Sequence, residues 1–428
     1  MKRINVGIIG LGTIGSGVIK ALRDRRRLIA ERSGVDLHLV LACDLRRAQA
    51  HKLGLSSHLF TTNPQDVLKH EKIDVVVELI GGHHPAKEVI LQALKGGKHV
   101  VTANKSLLAF DIHELLKVAR RCGRELKFEA SVGGGIPIIK ALREGLVANK
   151  VDSLFGIING TSNYLLTKMA QNSLSFSEAL TLAKKKGYAE RNPRFDVEGI
   201  DAAHKLAILC YLLFSKLIPF ENIYCEGISG ISDLDVIYAA EMGLVIKPLA
   251  IAKKVGDDLE AHVHPTLLPN DHMLAAVNGV FNAILLRGDM TGDMLFYGRG
   301  AGQFPTASAV ISDLVDLGRD NTQDVLSKRE AKPRIKRIIR VDEILSRYYL
   351  RFMAIDKPGI LAKISGILGR YHIGIAQVSQ KERKRAKFVP VVMITHDCLE
   401  KNLRAALEAI DKLAIVKGRT VKIRMEDF

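Results

Sequence analysis

Tryptophan is absent from the 428 residues, and the whole aromatic share is only 5%. Side chains on which unpaired bases could stack are scarce, which weighs against a reader of single-stranded nucleic acid. Cysteine is sparse too: Cys43, Cys122, Cys210, Cys225 and Cys398 stand far apart. Scattered thiols of this kind make neither a disulfide framework nor a cysteine-rich zinc site. No secretory leader is legible, so a reducing, cytoplasmic setting is expected. The longest notable apolar run, 207–214, falls far short of the roughly 18 residues that a membrane helix needs. The fourteen histidines form no H-E-x-x-H pair and no cluster with cysteine, so a transition-metal site is not read. Without a G-x-x-x-x-G-K-[ST] loop, phosphoryl transfer has no support.

What is present is a globular composition: 47% apolar, 25% charged, and 36 glycines without a fixed period. A chain of this length divides into two or three domains. The formal charge of +17 points to an anionic partner, yet residues 321–428 hold 24 Lys and Arg against 12 Asp and Glu. Most of the surplus is therefore C-terminal. Its densest runs, KREAKPRIKR and KERKRAK, lack interleaved aromatics and read as a solvated linker and hairpin rather than phosphate contacts.

Residues 1–135 alternate β-like runs (INVGIIG, LHLVLACD, IDVVVELI, HVVTAN, ELKFEAS) with helical stretches at 14–31, 84–95 and 111–122. That grammar means an α/β domain, a Rossmann-type doubly wound parallel sheet with helices on both faces. Residues 136–320 read as a mixed α+β domain, with helices at 175–187 and 201–214 and strands around VDSLFGII, PLAIAKKV, AHVHPTLL and GVFNAILLRG. A polar, basic linker is expected over 321–346, and 347–428 follows the order βαββαβ.

Gly10-Leu11-Gly12-Thr13-Ile14-Gly15 satisfies G-x-G-x-x-G between a strand and a helix, the context that dinucleotide binding requires. Bare backbone amides at a helix N-terminus receive a pyrophosphate there. Asp44 ends the next strand, where a carboxylate would bond the ribose 2′-hydroxyl of NAD. Arg46 and Arg47 follow at once and suit a 2′-phosphate equally well, which leaves NAD and NADP both open. Asp201 and Lys205 lie i, i+4 on an otherwise apolar helix; spacing alone reads them as an ordinary ion pair.

The stretches GLGTIGSGV, ELIGGHHPA, VVTANK, FEASVGGGIPII, IINGTSNYLL, KGYAE, DVEGIDAAHKLAIL and YGRGAGQFPTASAVISDL together resemble homoserine dehydrogenase, which interconverts L-homoserine and L-aspartate 4-semialdehyde with NAD(P). The C-terminal βαββαβ stretch, with its Asp356-Lys357-Pro358-Gly359 turn, is similar to an ACT domain, a ligand-sensing module. The resemblance implies Lys205 as proton donor and acceptor with Asp201 beside it. It implies Glu190, Asp196, Lys105, Gly160 and Thr161 at the substrate. Around the cofactor it implies Gly10, Gly12, Thr13, Ile14, Gly15, Asp44, Arg46, Gly81, Thr102, Asn104, Lys105 and Gly302. A monovalent cation such as sodium is implied at Glu129, Val132, Gly134 and Ile136, and L-threonine as effector in threonine, methionine and isoleucine biosynthesis. A homodimer or homotetramer is expected, with no nucleic-acid or membrane partner. One stretch departs from the pattern: Asn192 and Phe195, between Glu190 and Asp196, are neutral where many relatives are acidic. The alternatives are another Rossmann-type amino-acid oxidoreductase or a basic nucleic-acid-binding regulator.

Overall fold

The structure, a computed structural model, describes residues 1–319, 335–380 and 388–426. Two compact units form, each from three stretches of chain: Met1–Val151, His204–Phe220 and Asn282–Ile335 in the first, Asp152–Ala203, Glu221–Phe281 and Lys336–Phe428 in the second.

In the first unit β1 (Lys2–Ile9), β2 (Val35–Cys43), β3 (Phe60–Thr61), β4 (Val75–Glu78), β5 (His99–Thr102) and β6 (Leu126–Lys127) form a six-stranded sheet of order β3-β2-β1-β4-β5-β6. Every pairing is parallel. Val75, Val76 and Val77 are wholly buried, as a strand covered on both faces must be. The order reverses between β1 and β4, the switch point where such sheets bind ligands beyond their strand ends. A late helix, Gln303–Gly318, packs on the helix Thr13–Asp24. Gly17 permits this contact, because a Cβ there would lie 2.7 Å from the Gln303 carbonyl oxygen.

Three sequence expectations shift in this unit. The helix expected over 14–31 divides into Thr13–Asp24 and Arg26–Ser33. The helix expected from 111 begins at Lys105, because the Asn104 side chain accepts the Leu107 N–H and caps it there. The expected strand ELKFEAS shortens to β6, since the chain turns at Glu129–Ser131.

The second unit is built on β7 (Val151–Ile157), β8 (Tyr224–Cys225), β9 (Leu244–Val255) and β10 (Asp258–Pro269). Strands β11 (Phe281–Gly288) and β12 (Gly292–Arg299) follow, in the last stretch of the first unit. The C-terminal stretch gives β13 (Leu345–Ile355), a helix Ile360–Arg370, β14 (Ile375–Gln380), β15 (Phe388–Thr395), the short β16 (Cys398–Leu399), a helix Glu400–Asp411 and β17 (Val421–Met425). This is the expected βαββαβ order. Its last strand does not stop at its own sheet: β17 runs antiparallel to β13 and parallel to β10. The sheet therefore continues in the order β7-β9-β10-β17-β13-β15-β14. Charge is buried along this join. Asp235, which is wholly buried, accepts from Arg351 Nε at 2.6 Å, Arg351 Nη2 at 3.0 Å and the Tyr349 hydroxyl at 3.1 Å.

Of the expected linker, 321–334 lie outside the described residues, as do residue 320 and the basic run 381–387. The rest is held in place: the Lys336 and Ile339 amides donate to the carbonyls of Asp257 and Leu259 at 2.8 and 2.9 Å, and Arg337 pairs with Asp258 and Glu343. Among the described residues no helix is long and apolar enough to cross a membrane.

Candidate active site

The glycine loop is shaped by contacts that differ from one glycine to the next. A Cβ on Gly15 would lie 2.0 Å from the Gly10 carbonyl oxygen, and one on Gly10, whose φ is +104°, would lie 2.5 Å from that of Leu79. These two are required by the fold itself. Gly12 is different, because a Cβ there would meet nothing within 4 Å. It occupies the N-cap of the helix Thr13–Asp24, which has no side-chain cap and no acid in its first turn. The first amides are thus left for an anion, and a bare Gly12 lets that anion approach the backbone. Thr13 is exposed and Ile14 half-buried beside it. Gly81 and Gly82, at φ +81° and +71°, form an open turn after β4, and Gly302, at φ +124°, precedes the helix Gln303–Gly318. These features fit a dinucleotide.

Asp44 is more committed than its position suggested. One oxygen accepts the Leu11 N–H at 2.8 Å, the other the Arg46 N–H at 2.9 Å, and the Arg46 guanidinium lies alongside at 3.2 Å. Burial opposes its charge, but Arg46 and the two amides outweigh burial and hold the carboxyl below its ordinary value. Asp44 therefore braces the glycine loop, while Arg46 remains exposed beside it.

Thr102 and Asn104 are likewise turned inward. The Thr102 hydroxyl donates to Glu78 at 2.7 Å, and Asn104 Nδ2 donates to the Gly82 carbonyl at 2.7 Å while its oxygen caps the next helix. Glu78, wholly buried, also accepts the Ile80 and Gly81 amides. Sequence reasoning passed over it, although an acid closing the apolar strand Val75–Glu78 is a signal in itself. Lys105, half-buried, opens the helix Lys105–Arg121. Further along that helix Phe110 meets the His204 ring at 5.6 Å and the Phe220 ring at 5.7 Å, so the helix of Lys105 is packed against the residue preceding Lys205.

Asp201 and Lys205 stand one turn apart on the helix Ile200–Phe214, and both are buried, with 5% and 7% of their surface exposed. That exposure excludes the ordinary surface ion pair that spacing alone implied. Asn159 joins Asp201 to Asp196: its single Nδ2 donates to Asp201 at 2.8 Å and to Asp196 at 2.7 Å. Gly160 and Thr161 begin the helix Gly160–Asn172 that Asn159 caps, and the Thr161 hydroxyl donates to the Tyr188 carbonyl. Asp196, Asp201 and the Asn159–Thr161 turn are thereby brought together, whereas Glu190 is exposed and stands outside this hydrogen-bonded cluster.

Glu129 is buried, and its two carboxylate oxygens accept the Ile139 and Lys140 amides at 2.9 and 2.7 Å. Its own N–H donates to Asp313 at 2.9 Å. Burial pushes Glu129 up to about 7, and burial with the neighbouring Glu129 pushes Asp313 up to about 8. Gly134 is packed so closely that a Cβ would lie 2.5 Å from the Gly300 carbonyl oxygen, and the Ile136 carbonyl accepts the Ile138 N–H while Val132 is buried beside it. Among the described residues no group of three or more His, Cys, Asp or Glu is placed to hold a metal ion.

Comparison with known proteins bears on the same regions. Residues 10–129 match the family "Homoserine dehydrogenase, NAD binding domain", residues 137–315 the family "Homoserine dehydrogenase" and residues 348–415 the ACT domain. The chain is 42% identical to homoserine dehydrogenase of Neisseria gonorrhoeae over the full length of both. It superposes on the crystal structure of a homoserine dehydrogenase from Thiobacillus denitrificans with a TM-score of 0.91 at 45% identity, covering 100% of this chain and 99% of that one. A hyperthermophilic archaeal homoserine dehydrogenase, solved in complex with NADPH, aligns at 27% identity with a TM-score of 0.62 over 73% of this chain and 97% of that one. With full-length identity of this order, and with a glycine loop shaped for a dinucleotide, the chain belongs to the homoserine dehydrogenase family of NAD-binding oxidoreductases and carries an ACT domain.

Proposed function

We propose that the chain reduces L-aspartate 4-semialdehyde to L-homoserine, and runs the reverse reaction, with NADP(H) preferred over NAD(H) and L-threonine as feedback effector in threonine, methionine and isoleucine biosynthesis. NAD(P)H, when bound at the Gly10–Gly15 loop, supplies the hydride. Lys205 holds the proton at Nζ and delivers it to the oxygen that becomes the hydroxyl; in the reverse direction it takes that proton back. The observation that carries this reading is the burial of Lys205 together with Asp201 one turn away. Asp196 and Glu190 bind the substrate ammonium, and Lys105 with the Gly160–Thr161 turn contacts the rest of the substrate.

The NADP preference rests on Asp44 and Arg46. The carboxylate that would otherwise bond a free 2′-hydroxyl already accepts two amides and a guanidinium, and the exposed face of Arg46 suits a 2′-phosphate. A monovalent cation such as sodium at Glu129, with the carbonyls of Val132, Gly134 and Ile136, belongs to the same reading. What supports it is the pair of buried carboxyls Glu129 and Asp313, whose charge a cation would offset, and the lone pair left on each Glu129 oxygen after its amide bond.

The test is turnover of aspartate semialdehyde with NADPH and with NADH, followed at the nicotinamide absorbance with and without threonine, together with Lys205→Ala. That variant is expected to lose at least about 10³-fold in kcat, in keeping with general acid–base catalysis, while binding NADPH as the parent does. Retained turnover refutes the role given to Lys205.

A further inference from the structure

The helix Gly160–Asn172, through its cap Asn159 and its first turn, grips the loop carrying the acidic residues at three points. Asn159 Nδ2 donates to the Asp196 carboxylate at 2.7 Å, the Ser162 hydroxyl to the Asp196 carbonyl at 2.8 Å, and the Thr161 hydroxyl to the Tyr188 carbonyl at 2.7 Å. The same Asn159 nitrogen reaches Asp201 at 2.8 Å. Asn159 is itself buried, with 4% of its surface exposed. Its orientation is fixed, because its oxygen accepts the Ser162 N–H at 2.8 Å as the helix cap. The opposite rotamer would set an oxygen against two carboxylate oxygens and an NH2 against a helix amide. Both amide protons are therefore committed to the two aspartates.

Two carboxylates that share one donor nitrogen are necessarily close, and like charges at such separation repel. Two N–H bonds from one nitrogen offset the repulsion and fix the direction of each carboxylate. Asn192 and Phe195, the neutral residues of this loop, contribute no charge, while Asn159 and Ser162 supply hydrogen bonds to both the carboxylate and the carbonyl of Asp196. We propose that Asn159 is a positioning residue for the substrate: it aims Asp196 at the substrate ammonium group and sets Asp201 beside Lys205. The proposal rests on the function proposed above.

The experiment uses the full chain with Asn159→Ser and Asn159→Asp. Serine still caps the helix but is too short to reach the aspartates, and aspartate keeps the cap while replacing both donors with charge. Expected for Asn159→Ser is a rise of about tenfold to a hundredfold in the KM for homoserine, the loss that follows removal of hydrogen bonds to charged groups. Its kcat should fall by less than that factor, and NADPH affinity, read by nicotinamide fluorescence, should match the parent. Asn159→Asp is expected to be worse in KM with the same NADPH affinity. A parent-like KM for homoserine in Asn159→Ser overturns the proposal, as does an equal loss of homoserine and NADPH affinity, the mark of a merely structural residue. Should Asn159→Asp fail to fold, Asn159→Ser decides alone. A parent protein that turns over neither homoserine nor aspartate semialdehyde instead refutes the functional reading, and this proposal falls with it.

Discussion

Replacing Arg351 by methionine removes the guanidinium facing a carboxylate that is wholly shielded from water: the Asp235 side chain is 0% exposed and that of Arg351 9%. Deleting one partner of a buried pair generally costs about 3–5 kcal/mol, because a charge is left uncompensated. Asp235 is not abandoned entirely. It keeps the Ser232 N–H at 2.9 Å, the Ser232 hydroxyl at 2.7 Å and the Tyr349 hydroxyl at 3.1 Å, so the lower end, about 3 kcal/mol, is expected. Both residues lie in the second unit, and at roughly 2–4 °C per kcal/mol the melting transition of a unit of that size should fall by roughly 6–12 °C. The decisive assay is a double-mutant cycle of Arg351→Met, Asp235→Asn and both, followed by urea unfolding and by amide exchange in the helix Asp233–Glu241. Removing both charges should cost about 2 kcal/mol less than the two single losses combined. Additive losses, or a loss below about 1 kcal/mol for Arg351→Met, would show that the ion pair contributes as little as a surface one.

The glycine loop yields a contrast within one motif. Gly15→Ala forces a Cβ onto the Gly10 carbonyl oxygen, 2.0 Å away, and should lower the melting temperature, whereas Gly12→Ala meets only open space, should melt within a few degrees of the parent, and should weaken NADPH by about tenfold or more because the pyrophosphate is kept off the backbone; parent-like NADPH affinity in Gly12→Ala contradicts this account of the loop. Arg46→Ala should lower the ratio of kcat/KM for NADPH over NADH, and an unchanged ratio removes Arg46 from cofactor choice. Stability should fall as pH rises in a buffer free of sodium and potassium. A carboxyl whose folded value lies above its unfolded one keeps a proton that the unfolded chain has released, so Glu129 at about 7 and Asp313 at about 8 withdraw stability from about pH 4 upward and level off only above about 8. Asp313→Asn should flatten this slope in denaturation measured across that range, and an unchanged slope places its cause elsewhere.

Local pattern made the first sheet and the cofactor loop legible. Periodicity located β1, β2, β4 and β5, and the spacing of Gly10, Gly12 and Gly15 located the helix start. What local pattern cannot supply is the identity of partners across long separations. Asp44, Thr102 and Asn104 sit where a cofactor would claim them, yet their hydrogen-bonding groups serve Leu11, Glu78 and Gly82, residues that only the closed sheet brings near. Conversely the hydrogen bonds of Asn159 reach Asp196 and Asp201, 37 and 42 residues onward, partners that no local spacing announces.

The C-terminal stretch shows the same limit on a larger scale. Its βαββαβ order was legible because each element carries its own apolar face, as in Ile360, Ile364, Ile367 and Leu368 of one helix. That order alone implies a module tethered by a solvated linker. The parallel pairing of Thr266 with Arg424 and of Leu267 with Met425 instead makes its last strand part of the sheet that includes β10. Arg424 is 3% exposed in its side chain and bonded at once to Glu226 on one side and Glu400 on the other, so a buried cation now spans the join. No periodicity marks either feature, because a two-residue parallel pairing leaves no repeat and an ion pair across some 200 residues leaves no spacing rule. Pulling β17 away from β10 would break this pairing and part Arg424 from Glu226, so the last strand is held to its neighbour by backbone bonds and by a buried charge together.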